Sequence, residues 1–153
     1  MFHQKQFRNY CRCHAINNFL GYNAVSYQQF DKYCDEFDKK NNMPLISKNN
    51  CYFYNNGGND DIFGYVLQKI NYNCKLETYY MERNLINKLG NLDNYQGFFI
   101  FNTTHTWCIR KHNGKFHLID SLRWMITPLN NDKLLQYLKS CQGIISIKCQ
   151  TNQ

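Results

Sequence analysis

An α+β domain, with helices first and an antiparallel sheet after them, is the fold class this sequence predicts. Three observations carry that reading. Apolar residues recur at helical spacing as far as Ile70; later runs alternate apolar and polar residues; and Asn113-Gly114, between two such runs, is the strongest short hairpin signal. With 153 residues, 43% hydrophobic content, 12 Tyr and 11 Phe, one domain has the apolar mass for a proper core, so the many asparagines need not mean disorder.

In chain order, the first helix is expected from about Tyr10 to Leu20, ended by Gly21, which readily takes the left-handed cap conformation. Ser26 opens a second helix with a capping box to Gln29, and Phe30, Tyr33, Cys34 and Phe37 follow on one face as core. The doublets Asn41-Asn42, Asn49-Asn50 and Asn55-Asn56 read as loops. After Gly57-Gly58, Asn59 can cap a third helix whose positive end suits Asp60 and Asp61, with Ile62, Phe63, Val66, Leu67 and Ile70 on its apolar face. Strands are expected at Cys74 to Tyr80, Gly97 to Asn102, Thr106 to Lys111, Lys115 to Asp120 and Gly143 to Cys149, and helical turns near Glu82 to Leu89 and Asp132 to Cys141. The sequence has no internal repeat.

The first residues lack the apolar run of a signal peptide, and no stretch approaches the roughly 18 apolar residues of a membrane span. The expectation is an intracellular, cytoplasmic chain without a membrane role, whose eight cysteines are reduced thiols rather than a disulfide framework. The net charge of +7 raises nucleic acid as a partner, but the Lys and Arg residues are dispersed, and a solvated basic surface explains them more simply.

Asn9 to Gly21 reads NYCRCHAINNFLG, and its two cysteines need separate roles. With Cys11 at zero on a helical wheel, Cys13 falls at about 200°, on the stripe with Ile16 and Leu20. Cys11 shares the opposite, polar edge with His14 and Asn18. A disulfide between the pair or a shared zinc site is therefore unnatural, and no second C-x-x-C or H-x-x-H completes four ligands, so no metal and no cofactor is expected. Cys11 also lies in the first turn, where free N–H groups and the helix dipole favour a thiolate. Position alone leaves open that it is one more small buried residue.

Phe98 to Leu122 supplies a candidate base. A two-residue type I′ turn at Asn113-Gly114 sets Trp107 opposite Asp120 and His105 opposite Leu122. His105 and Asp120 then share a face as diagonal neighbours, about 7 to 8 Å apart along the backbone and within side-chain reach. A thiolate needs a base, and the base needs a group that fixes its tautomer. An ordinary strand-end histidine beside a turn aspartate is the plainer alternative. His112 and His117 are weaker candidates, His3 sits in a terminus expected to be mobile, and His14 reads as a packing histidine. An oxyanion could be met by the Cys11 N–H and an upstream amide, where Gln6 is slightly preferred over Gln4 and Asn9.

Taken together, Phe2-His3-Gln4-Lys5-Gln6, Cys11, His14, Asn17-Asn18-Phe19-Leu20, Gly58-Asn59-Asp60-Asp61, His105-Thr106-Trp107 and Leu118-Ile119-Asp120-Ser121-Leu122 resemble a Josephin domain, the cysteine-protease module of a family of deubiquitinating enzymes. The blocks span nearly the whole chain in the family's order. The resemblance implies a papain-like fold, with a nucleophile helix packed on an antiparallel sheet, as a single catalytic domain over residues 1–153. It implies Cys11 as nucleophile, His105 as general base and acid, Asp120 as orienting residue and Gln6 as oxyanion donor. The implied partner is ubiquitin or a polyubiquitin chain, met by a monomer without nucleic acid. Its basic, Gly-ended tail would need a narrow groove near Trp107 and acceptors such as Asp60 and Asp61, although helix capping also explains the two carboxylates. Unlike most of the family, the chain offers one helix rather than a long helical hairpin between Ser26 and Asn50. The rival readings are a papain-like protease for a ubiquitin-like modifier or another peptide, a non-catalytic ubiquitin-binding domain, and a basic nucleic-acid binder.

Overall fold

The computed structural model describes residues 1–5, 7, 10–40 and 61–149. The first helix, α1 (Cys11–Leu20), ends as its sequence requires: Gly21 has φ 83° and its N–H closes on the Asn17 carbonyl at 2.8 Å. The capping box opens α2 (Tyr27–Lys40), with the Ser26 N–H on Gln29 Oε1 at 3.0 Å and the Gln29 N–H on Ser26 Oγ at 3.1 Å. Next comes α3 (Asp61–Lys69), which buries Ile62, Phe63, Val66 and Leu67 as its apolar face predicts. The expected Asn59 cap, the Asp60 and Asp61 carboxylates, the asparagine doublets and the missing second helix before Asn50 all lie outside the described residues or side chains.

Six antiparallel strands follow in the main: β1 (Cys74–Tyr80), β2 (Gly97–Phe101), β3 (Thr106–His112), β4 (Lys115–Ile119), β5 (Thr127–Leu129) and β6 (Gly143–Cys149). Their order across the sheet is β1-β6-β2-β3-β4-β5. Two short helices, α4 (Leu85–Leu89) and α5 (Asn131–Ser140), and a 3-10 turn at Leu92–Asn94 complete the elements among the described residues. The sequence did not announce β5 or the 3-10 turn. In β5 only three residues pair, one of them Pro128, so the segment lacks both the length and the donors of an ordinary strand.

Alternation of side chains divides the core into two layers. Phe99, Cys108, Ile119, Ile145 and Ile147 face α1, α2 and α3, where Phe63 stacks on Phe99 at 4.2 Å and Phe19 meets it edge-on at 5.5 Å. Phe98, Ile100, Ile109, Phe116, Leu118 and Ile144 face the other way, against Leu134 and Leu138 of α5 and Leu85 and Leu89 of α4. Because β2 lies between β6 and β3 and is covered on both faces, every one of its residues is buried. On the first face α1 packs chiefly along β3, which brings the helix that begins at Cys11 against the strand that begins just after His105.

Candidate active site

The turn that sets the register is present as predicted. Asn113 and Gly114 both have positive φ, 52° and 76°, and β3 pairs with β4 so that Cys108 faces Ile119 and Ile109 faces Leu118. One further step along this register carries His105 and Asp120 beyond the strand ends on a common side. There His105 Nε2 and Asp120 Oδ1 are 2.7 Å apart, with the two side chains only 12% and 10% exposed. Since Nε2 is committed to the carboxylate, Nδ1 is the ring nitrogen left to meet a thiol.

The loop before β3 fixes the imidazole's starting point. Asn102 Oδ1 accepts the His105 N–H at 2.8 Å and the Thr104 N–H at 2.9 Å, while the Asn102 N–H returns to the His105 carbonyl at 3.0 Å. Asp120 is held just as closely. Burial pushes its carboxyl up, but hydrogen bonds from His105 and the Leu122 N–H, with the charges of His105 and Arg123, outweigh that and hold it below the usual aspartate value. It is therefore an anion through the neutral range and a fit partner for an Nε2–H.

Cys11 is the first residue of α1 and is 1% exposed. His14, one turn further on, lies within electrostatic range of His105, and α1 packs on β3, so the start of α1 and the imidazole belong to one region. The expectation of eight reduced thiols needs a correction at this position. Cys13, Cys34, Cys74, Cys108, Cys141 and Cys149 are free thiols, but Cys11 is disulfide-bonded, and Cys51 lies outside the described residues. A sulfur in a disulfide does not attack a carbonyl, so any nucleophilic role for Cys11 requires reduction first. Cys13 is no substitute: it is fully buried, its Sγ is directed at the Val25 carbonyl, and burial, seconded by the Asp31 charge, pushes its thiol up to about 12.

The polar edge of α1 is buried rather than solvated. His14 Nδ1 meets Gln4 Oε1 at 2.9 Å and its Nε2 accepts the Phe7 N–H at 2.9 Å, which fixes the neutral Nδ1–H tautomer. Burial is the chief reason that its pKa drops to about 4, and the His105 charge adds to the fall. The Asn18 amide pairs with both the N–H and the carbonyl of Gln4. Asn17 clamps the Val25 N–H and carbonyl, each at 3.0 Å, and so fixes the turn into α2. Gln4 Oε1 is thus occupied by His14 and Asn17, and Gln6 lies outside the described residues.

His3, expected in a mobile terminus, is instead held by the Asp120 carbonyl, its Nε2 at 2.7 Å. Trp107 stacks on the His105 ring, centroids 5.4 Å apart, and gives its indole N–H to the Tyr137 hydroxyl at 2.8 Å, so its polar tip is tied to α5. His117 turns its Nδ1 to the Lys115 carbonyl in its own strand and takes no part in the site. Beyond Asp120, Leu122, Trp124 and Met125 are 61%, 91% and 76% exposed, an apolar ridge beside the dyad whose only sequence signal is three large apolar residues after a strand end. Among the described residues no cluster of three or more His, Cys, Asp or Glu could hold a metal ion, and no helix is long and apolar enough to cross a membrane.

A family model described as Josephin matches residues 6–145. No curated protein matches the chain.

Proposed function

The chain belongs to the Josephin family, which includes deubiquitinating cysteine proteases and whose domains bind ubiquitin, and from that premise we propose that it hydrolyses peptide or isopeptide bonds at the C-terminal glycine of ubiquitin. The observation that carries this reading is the largely shielded 2.7 Å contact between His105 and Asp120, at the end of the strand along which the Cys11 helix packs. A lone strand-end histidine would have no need of a buried anion; a general base does.

In this mechanism the reduced Cys11 sulfur gives its proton to His105 Nδ1 and attacks the glycine carbonyl. Asp120 accepts from Nε2–H and favours the imidazolium that results. The oxyanion of the tetrahedral intermediate is met by the Cys11 N–H and the Gln6 amide. As the C–N bond breaks, His105 returns its proton to the leaving amine, which leaves a thioester on Cys11. Water, deprotonated by His105, then attacks the thioester carbonyl; the C–S bond breaks and the proton goes back to sulfur. Trp107 and the Leu122–Met125 ridge would flank the incoming tail, and Asp60 and Asp61 would take its basic residues. The chain acts as a single catalytic domain and as a monomer in the cytoplasm.

The test is labelling by ubiquitin with an electrophilic C-terminus, with and without reductant, beside matched probes built on ubiquitin-like modifiers. Reduced wild type and Cys13→Ala should form a covalent adduct with the ubiquitin probe, and Cys11→Ala should form none. An adduct in Cys11→Ala removes the assigned nucleophile. Stronger labelling by another modifier replaces ubiquitin as substrate, while tight binding of ubiquitin without any adduct or hydrolysis makes the domain a binder.

A further inference from the structure

The arm formed by His3, Gln4 and Lys5 crosses between the two parts of the candidate site and is tied to each. On the nucleophile side the Asn18 amide pairs with the main chain of Gln4 in both directions, and His14 Nδ1 and Asn17 Nδ2 meet Gln4 Oε1 at 2.9 and 3.0 Å. On the base side His3 Nε2 reaches the Asp120 carbonyl at 2.7 Å, and Lys5 Nζ reaches the Arg123 carbonyl while lying 5.2 Å from the Trp124 ring centre. The partners of His3 and Lys5 are more than a hundred residues away in sequence, so neither contact follows from local chain geometry.

Consecutive Cα atoms are about 3.8 Å apart, so adjacent residues anchored to opposite walls act as a spacer of fixed length. His3 and Gln4 are such a pair. The carbonyl that His3 meets also accepts the Arg123 N–H at 3.0 Å, closing the tight turn in which the Leu122 N–H reaches Asp120 Oδ1. The same residue's main chain is therefore fixed by His3 while its carboxylate is aimed at His105. A carbonyl can only accept, so His3 must present Nε2–H, which makes this a directed donor contact.

We propose that His3 is a positioning residue for the catalytic dyad: through the Asp120 carbonyl it sets the direction of the Asp120 carboxylate, and through Gln4 it fixes that carboxylate's distance from the Cys11 helix. This rests on the assignment of Cys11, His105 and Asp120 given above. A contact that serves stability alone would alter activity only as far as it unfolds the protein; a positioning contact acts through Asp120.

The experiment is a double-mutant cycle of His3→Ala and Asp120→Ala in the full chain under reducing conditions, with His3→Gln as a third variant that retains a side-chain N–H donor. Hydrolysis of a fluorogenic ubiquitin C-terminal conjugate gives kcat and KM separately, and thermal melting reports folding. The expected result is a kcat about tenfold lower in His3→Ala, with KM within twofold of wild type, recovery of most of the loss in His3→Gln, and no further loss when His3→Ala is added to Asp120→Ala. An equal fold-loss in both backgrounds, or an unchanged kcat in folded His3→Ala, overturns the proposal and leaves the proposed function intact. If wild type does not hydrolyse the conjugate, the functional reading fails, and alkylation of reduced Cys11 by iodoacetamide runs the same cycle without substrate. Non-additive alkylation rates then support the positioning role, and additive ones reject it.

Discussion

On one side of α1, Ile16 and Phe19 meet the sheet and its neighbouring helices through carbon, whereas on the other His14 and Asn18 meet the arm of residues 3–5 and Phe7 through hydrogen bonds. Both sides are buried, with all four side chains no more than 4% exposed. The apolar side gains from leaving water and tolerates small displacements, since dispersion and burial have little direction. A buried polar side is stable only when each donor finds its acceptor, so it fixes position more narrowly. The apolar side should thus govern how firmly α1 stays folded, and the polar side what lies above Cys11.

The sharpest way to break this contrast compares the two neighbouring sulfurs. With both proteins reduced, Cys11→Ala should lower hydrolysis of a ubiquitin conjugate by about 10⁴-fold or more with its melting temperature near that of reduced wild type, whereas Cys13→Ala should keep kcat within about threefold. Comparable activities in the two variants would remove the distinction between the sides. Next in size, Phe19→Ala vacates the space against Phe99 and Tyr72 and should cost about 3 to 5 kcal/mol in urea unfolding. A cost under about 1 kcal/mol would mean that α1 is held mainly by its polar side.

The third probe is pH. His14 binds its proton less readily folded, at about 4, than in an unfolded chain, so the unfolded state holds more protons between those two values and stability rises with pH there. Acidification from about pH 6.5 to 4 should remove up to about 3 kcal/mol through this group, a slope that His14→Gln abolishes. Smallest of the four, Asn18→Ala leaves the Gln4 main chain without its amide partner and should cost about 1 to 2 kcal/mol, visible as faster amide exchange in the arm. If the exchange is unchanged, Asn18 does not hold the arm.

What the sequence made legible follows the range of each interaction. The capping box at Ser26, the left-handed Gly21 and the Asn113-Gly114 turn are decided within four residues, and each appears where the residue types demand. The turn carries the most weight, because strand parity transmits its geometry to His105 and Asp120, eight and six residues away from it, and makes their meeting predictable. The role of the arm was not legible, because His3 meets Asp120 across 117 residues and a lone histidine near a terminus carries no periodic signal. Likewise, periodicity marks the His14 side of α1 as polar but cannot say whether water or another segment covers it. The bonded state of the Cys11 sulfur had no local signature either, since reasoning from spacing excluded only its close neighbour Cys13.

The three-residue β5, with Pro128 at its centre, closes one border of the sheet. An ordinary outer strand offers a ladder of unpaired donors and acceptors on which a second molecule can grow, but a proline supplies no N–H and the segment is too short to seat a partner. At the opposite border β1 carries Lys75 and Glu77, paired at 3.3 Å, charged side chains that discourage the same stacking. Both rims of a basic, aromatic-rich chain with a fully buried central strand thus carry features that disfavour the addition of a further strand.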